Sequence, residues 1–367
     1  MSAPSFHWFL PTGGDGHQVG AVTAVQDRAG GSVSRPATAD YLTLVAQAAR
    51  QAHFGSVLTP TGLGCVDPWI ATAMIAQAVP DLTFLVAFRP GLASPTLVAQ
   101  QAATFARLTG GRVALNVVTG GDPLEQRAYG DRAAHSGRYA RTDEFLTVLR
   151  GLLEGEEVTL AGDHLQIDGA RLVDPPDVVP TIYLGGASEP ALDIAARQVD
   201  TFLTWVDSYE AVIARRDDVV ARAARHGREL RVGVRVHVIA RETSGEAWAQ
   251  ADRLLAAMDD QAIAASQARY ARMDSVAQAK MTALHGGRRD GLVVDQNLWA
   301  GIGLVREGAA TALVGSYEEV AARISELAAA GIDEFVLSGY PHLEEALRFG
   351  EHVRPLVALA GSAGGRG

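Results

Sequence analysis

Short runs of β-favouring apolar residues alternate along this chain with stretches whose apolar positions recur at helical spacing. That alternation predicts βα units built around a parallel sheet. The strand-like runs are Phe6–Leu10, Ser56–Pro60, Thr83–Phe88, Gly111–Val118, Thr181–Gly185, Thr201–Trp205, Arg231–Ala240 and Glu334–Ser338. Asp40–His53 shows the helical period, with Leu42, Val45, Ala46 and Ala49 on one face and a stop at Gly55. Ser316 and Glu319 form a capping-box pair ahead of Val320, Ile324 and Leu327, and Gly331 ends that helix. Eight strands with intervening helices predict a (β/α)8 barrel as one domain over residues 1–360, with 361–367 as a disordered tail. A doubly wound sheet is the alternative, and it normally carries fewer strands over this length.

Three segments exceed what connections require. Gly13–Ala39 follows the first strand, Asp122–Asp168 the fourth and Ala247–Arg306 the seventh. Long loops in compact domains tend to be lids or binding loops, and in a barrel these three leave the C-terminal strand ends, where barrel active sites lie. The composition narrows the function. The 367 residues are 48% hydrophobic, enough for a large core. Thirty-two Lys+Arg against 42 Asp+Glu give a net charge of −10, which argues against nucleic acid or an anionic membrane as the main partner. Cys65 is the single cysteine, so neither an internal disulfide nor a multi-cysteine metal site is available. No leader-like segment and no apolar run near ~18 residues is visible, and a cytoplasmic protein is the expectation.

The most informative stretch is Arg231-Val-Gly-Val-Arg-Val-His-Val-Ile-Ala. Strand side chains alternate faces, so Val234, Val236 and Val238 point one way while Arg235 and His237 point the other, into the barrel. Two readings follow: a structural ion pair with an interior carboxylate, or an anion site with a titratable neighbour, which we prefer. Thr181-Ile-Tyr-Leu-Gly-Gly-Ala-Ser-Glu-Pro reads as a strand, a small-residue turn and a helix start, where free amides and the Ser188 hydroxyl suit a phosphate; a tight βα turn without a ligand is the alternative. Asn116 is a polar residue near the end of the apolar fourth strand. His135-Ser-Gly-Arg138-Tyr139 reads, from spacing alone, as a surface charge cluster. Arg306 ends the hydrophobic return from the seventh loop, and Tyr340, His342, Cys65 and Trp205 stand at or just past strand ends. No metal-binding His-Glu-x-x-His, P-loop, dinucleotide fingerprint or serine elbow is present, which leaves an organic cofactor or the arginine, histidine and tyrosine side chains to carry chemistry.

At these residues the chain resembles the FMNH2-dependent alkanesulfonate monooxygenases of the bacterial luciferase-like superfamily. The matches are Phe9-Leu-Pro-Thr12 with Gly14-Asp-Gly-His17, Pro60-Thr-Gly62 to Cys65, Ser94-Pro-Thr96, Asn116-Val-Val-Thr-Gly120, His135-Ser-Gly-Arg-Tyr139 and Gly185-Gly186. They continue through Arg235-Val-His237, Asn297 to Arg306, and Ser338-Gly-Tyr-Pro-His-Leu-Glu-Glu345. The resemblance implies a (β/α)8 fold, a homodimer or homotetramer, reduced FMN (FMNH2) from a separate NAD(P)H-dependent flavin reductase, and O2 as co-substrate. The implied reaction converts a sulfonate, FMNH2 and O2 to an aldehyde, sulfite, FMN and water, with no metal. By the same resemblance Ser188, Gly186 and Tyr139 hold the flavin phosphate, and Asn116 lines the flavin. Arg235, His237, Arg306 and Tyr340 are the implied catalytic set, while Trp205, Cys65, Gly13 and His342 shape the substrate pocket and the seventh loop closes over it.

The chain departs from this pattern at Gly13, where the alkanesulfonate enzymes carry histidine, and in a longer stretch between His17 and Ser34. Both changes point to a sulfonate bulkier or more hydroxylated than a simple alkane, such as sulfoquinovose. Two other readings keep the barrel: a flavin- or deazaflavin-dependent oxidoreductase of the same superfamily, and a flavin-binding barrel without turnover.

Overall fold

The computed structural model describes residues 3–19 and 35–357. Eight parallel strands close into a barrel: β1 (Ser5–Phe9), β2 (Ser56–Thr59), β3 (Thr83–Phe88), β4 (Val113–Val117), β5 (Ile182–Gly185), β6 (Thr201–Trp205), β7 (Arg231–Arg241) and β8 (Glu334–Ser338). Each pairs with the next, and β8 closes on β1 through Phe6↔Phe335. These are the strands that the apolar runs predict. Most of the residues between them and the helices outside form one continuous core, to which Val232, Val234, Val236 and Val238 of β7 all belong. Among the described residues no helix is long and apolar enough to cross a membrane.

The barrel interior is filled by a second cluster with Phe9, Leu58, Leu85, Ala114, Tyr183, Leu203 and Val336 from seven different strands. The one barrel strand not in this cluster, β7, contributes Gly233 at this level because a Cβ there would sit 2.7 Å from Leu203 Cδ2. Below this plug, at the N-terminal end, Glu334 is fully buried against His7 (3.2 Å) and Arg231 (2.9 Å). Burial raises the pKa of Glu334, but the hydrogen bond and charge of His7, with Arg231, outweigh it and hold the carboxyl below its usual range. The barrel therefore does contain an interior carboxylate, at the end remote from Arg235.

The long segments carry more structure than their sequence announces. After β4 come helices Pro123–Ala128 and His135–Leu153 and then an antiparallel hairpin, Val158–Ala161 with Gln166–Ala170. After β7 come helices Ser244–Ala256, Asp260–Tyr270 and Val276–His285, a short hairpin, and a ninth parallel strand, Ala312–Ser316. That strand pairs with the upper half of β7, from Ala312↔His237 to Ser316↔Arg241. It continues the edge that β6 leaves at Trp205↔Arg235, while β8 holds the other edge. Residues 20–34 of the first long segment and the 361–367 tail lie outside the described residues.

Candidate active site

At the C-terminal end of the barrel lies a cavity of about 680 Å³, within the size range of small-molecule sites. The strand ends and the segments after β1, β4 and β7 build its wall. Gly13, Cys65, Asn116, Tyr139, Gly186, Trp205, Arg235, Arg306, Tyr340 and His342 all line it. The two remaining sequence candidates stand one layer back: His237 behind Arg306, and Ser188 just past the Gly185-Gly186 turn.

Arg235 is buried, and among the described residues no carboxylate pairs with it or with Arg306. Its Nη1 donates to Ser338 Oγ at 3.1 Å, its Nη2 has no partner, and its guanidinium lies 4.2 Å from the Phe9 ring centroid. Arg306 covers the same ring at 5.1 Å and brings Nη1 to 3.3 Å from His237 Nε2. Burial and then the Arg306 charge push Arg235 well below the ordinary arginine range. Burial, Arg306 and Arg235 likewise hold His237 neutral, with its Nδ1 2.8 Å from Ser338 Oγ. Two guanidiniums brought together with no counter-charge among the described residues can receive an anion, since an unpaired buried charge such as Arg235 costs several kcal/mol until one arrives. Tyr340 stacks on His237, and its buried hydroxyl has no partner among the described residues.

Across the barrel a second polar corner forms after β5. Gly186 approaches so closely that a Cβ there would lie 2.6 Å from Ala191 Cβ and 3.6 Å from the Tyr139 hydroxyl. Ser188 is the N-cap of helix Glu189–Gln198, yet its side chain makes no capping bond and its buried Oγ has no partner among the described residues. An orphaned hydroxyl, a phenol and free helix amides around a backbone stripped of side chain match what a phosphate group requires.

The segment after β7 roofs the cavity. Arg138 is buried rather than part of a surface cluster, which corrects the reading of His135–Tyr139 from spacing alone. Its side chain is 3% exposed and donates to Asp274 Oδ1 of the roof at 2.6 Å, while Asp274 N donates to Gly121 O at 3.0 Å. Gly121 lies so near Ser275 that a Cβ would clash at 2.6 Å. Asp274→Ala leaves Arg138 buried without its anion, and we expect limited proteolysis within residues 257–300 to quicken by about tenfold, with the barrel strands still protected.

The chain matches the sequence profile of the luciferase-like monooxygenases over residues 5–334. It belongs to the luciferase-like monooxygenase family. Solved structures show the same fold at low identity. The EDTA monooxygenase from Chelativorans sp. BNC1 is 21% identical with a TM-score of 0.78, the match covering 98% of this chain and 94% of that one. A long-chain alkane monooxygenase is 20% identical with a TM-score of 0.79, over 98% and 92%. An F420-dependent secondary alcohol dehydrogenase is 18% identical with a TM-score of 0.66, over 97% and 99%.

This luciferase-like monooxygenase also carries site residues that the sequence did not single out. Arg89 follows β3 and lines the cavity, donating to Glu125 Oε2 at 2.6 Å while its Nε and Nη1 stay unpartnered. Glu125 Oε1 in turn accepts from Leu63 N at 2.8 Å, fixing the loop that presents Cys65. Position at a strand end was the available signal for Arg89. Burial raises the Cys65 thiol, so it stands in the wall as a neutral group.

Proposed function

We propose that this chain is the oxygenase of a two-component system, a reduced-FMN-dependent organosulfonate monooxygenase. It would receive FMNH2 from a separate NAD(P)H-dependent flavin reductase and cleave a C–S bond with O2 to release sulfite and an aldehyde. The observation that carries this reading is the pair Arg235, buried, and Arg306, half-buried, together at the cavity with no carboxylate partner among the described residues. A sulfonate is a permanent anion with three acceptor oxygens, a good match for two guanidinium forks. The corner of Gly186, Ser188 and Tyr139 fits the FMN phosphate, and Asn116 lines the space between the two corners. Reduced FMN, when bound, supplies the two electrons that activate O2. The chain's own part is to neutralise the sulfonate, to present the Tyr340 hydroxyl and to exclude water under the Arg138–Asp274 roof.

Gly13 on the wall leaves room where a histidine would project, and the unpartnered Arg89 nitrogens add donors for substrate hydroxyls. Both favour a bulky, hydroxylated sulfonate such as sulfoquinovose. The test is sulfite release with a flavin reductase, FMN, NADH and O2 across methanesulfonate to octanesulfonate and sulfoquinovose. Release from sulfoquinovose above the linear series is expected. No sulfite from any member, with reduced FMN shown to bind, would overturn the sulfonate assignment. Binding of reduced deazaflavin in preference to FMN would overturn the cofactor.

A further inference from the structure

Asp15 belongs to the loop after β1 and is completely buried, yet among the described residues it pairs with no arginine or lysine. Both of its oxygens are used. Oδ1 accepts from Gly16 N at 2.8 Å and lies 2.9 Å from His342 Nδ1. Oδ2 accepts from His342 N at 2.8 Å and from the Tyr41 hydroxyl. Tyr41 is held from behind by Arg35, whose Nη1 donates to the phenol at 3.3 Å and whose guanidinium grips Glu344 at 2.6 and 2.7 Å. Burial works to raise Asp15, but its contacts with His342 and the Tyr41 bond outweigh it and hold the carboxyl below its usual range, so it is ionised.

An ionised carboxylate only accepts hydrogen bonds, so the proton of a neutral His342 ring must sit on Nδ1. Nε2 then carries the lone pair. That nitrogen is buried without a partner among the described residues, and His342 is part of the cavity wall. Trp8 Nε1 donates to His342 O at 3.1 Å, and the rings of Phe9 and Tyr340 flank the imidazole at 5.7 and 5.2 Å. A ring turned over would present carbon to Asp15, so the environment admits one orientation. The titratable and charged groups around it are Asp15 and Tyr41 behind, Tyr340 beside it, and His237 with Arg235 and Arg306.

We propose that Asp15 is a positioning residue that fixes His342 with its Nε2 lone pair toward the cavity, where His342 accepts the proton leaving the carbon next to the sulfonate. The inference rests on the desulfonation reading above. In that reaction RCH2SO3⁻, FMNH2 and O2 become RCHO, HSO3⁻, FMN and H2O. One C–H and one C–S bond break at the same carbon. One oxygen atom ends doubly bonded to that carbon and the other leaves as water, while FMNH2 and the carbon are oxidised. The departing proton is the one found on hydrogen sulfite in the products. Among the described cavity groups, Arg235 and Arg306 repel a proton, and Tyr340 is held in its neutral form by burial. Glu125 is engaged by Arg89 and Leu63 N and Asp122 by the cap of its helix, while His342 Nε2 carries a lone pair in a direction that Asp15 fixes.

The test begins on the flavin-free chain, with ¹⁵N-labelled histidine and NMR of the ring nitrogens, the His342 signals being assigned by loss in His342→Gln. The wild type is expected to show His342 protonated on Nδ1. Asp15→Asn puts an amide donor against that nitrogen and is expected to move the proton to Nε2, the exchange of tautomer known for buried aspartate–histidine pairs. Sulfite release by Asp15→Asn is then expected to fall at least about a hundredfold in kcat, with KM changed by less than about threefold. Tyr41→Phe keeps the carboxylate and is expected to retain the Nδ1 tautomer, which separates loss of the charge from loss of the fold. A wild-type ring protonated on Nε2, a tautomer unmoved by Asp15→Asn, or a switched tautomer with kcat intact would each overturn the proposal. Absence of sulfite release by the wild type would overturn the desulfonation reading, and the substrate-free NMR result distinguishes that failure from failure of the pair.

Discussion

Arg235→Met is expected to lose about a thousandfold in kcat/KM for sulfite release while the folded protein becomes harder to unfold. The two effects share one cause. In the free protein the Arg235 guanidinium is buried with a single neutral partner, Ser338, one unpartnered nitrogen and a second cation nearby. Replacing unsatisfied buried charge by an apolar side chain of similar length is commonly neutral or stabilising, by roughly 1–4 kcal/mol. With an anion bound the balance reverses, because truncating one member of a buried charge-assisted pair costs roughly 2–5 kcal/mol. Activity should therefore fall while the chemical-denaturation midpoint rises. A variant that kept its kcat/KM, or that unfolded earlier than the wild type, would show that Arg235 is matched by protein and not by ligand.

Gly186→Val is expected to weaken reduced-FMN binding by about a hundredfold, followed anaerobically by flavin fluorescence. The added Cβ meets Ala191 Cβ at 2.6 Å and crowds the Tyr139 hydroxyl, filling the cradle over which Ser188 is left without a partner. A hundredfold loss corresponds to about 3 kcal/mol of binding free energy, the scale of a phosphate kept from its cradle. The neighbouring Gly185→Ala gives the contrast, since its nearest contact is an ordinary 3.6 Å to Leu203 O. It should bind within a few-fold of wild type. Equal losses at both positions would place the phosphate elsewhere.

The barrel was legible because each strand pairs an apolar run with a following helix, and Arg235 and His237 were legible because they break the inward phase of a valine strand. Local pattern carried both. What it could not carry was pairing across long separations. Arg138 reads as a surface residue until Asp274, 136 positions later, is folded onto it. Asp15 lies 327 positions from His342, and nothing in either neighbourhood names the other. The strand Ala312–Ser316 was missed for a related reason, since its short run ends directly in the Ser316 cap and reads as an approach to that helix.

That ninth strand gives the region between Arg241 and Ala312 an unusual freedom to vary. Both of its ends are fixed side by side on β7, so the helices between them form an insertion whose length does not enter the closure of the barrel. Arg306 sits just before the returning strand, close to the fixed end, whereas Ser266, Arg269 and Gln278 ride on the inserted helices. Exchange of the inserted helices can then retune which molecules fit beneath the roof while Arg306, the arginine proposed to meet the anion, keeps its place. Charge recognition and shape recognition are thus heritable as separate modules within a single chain.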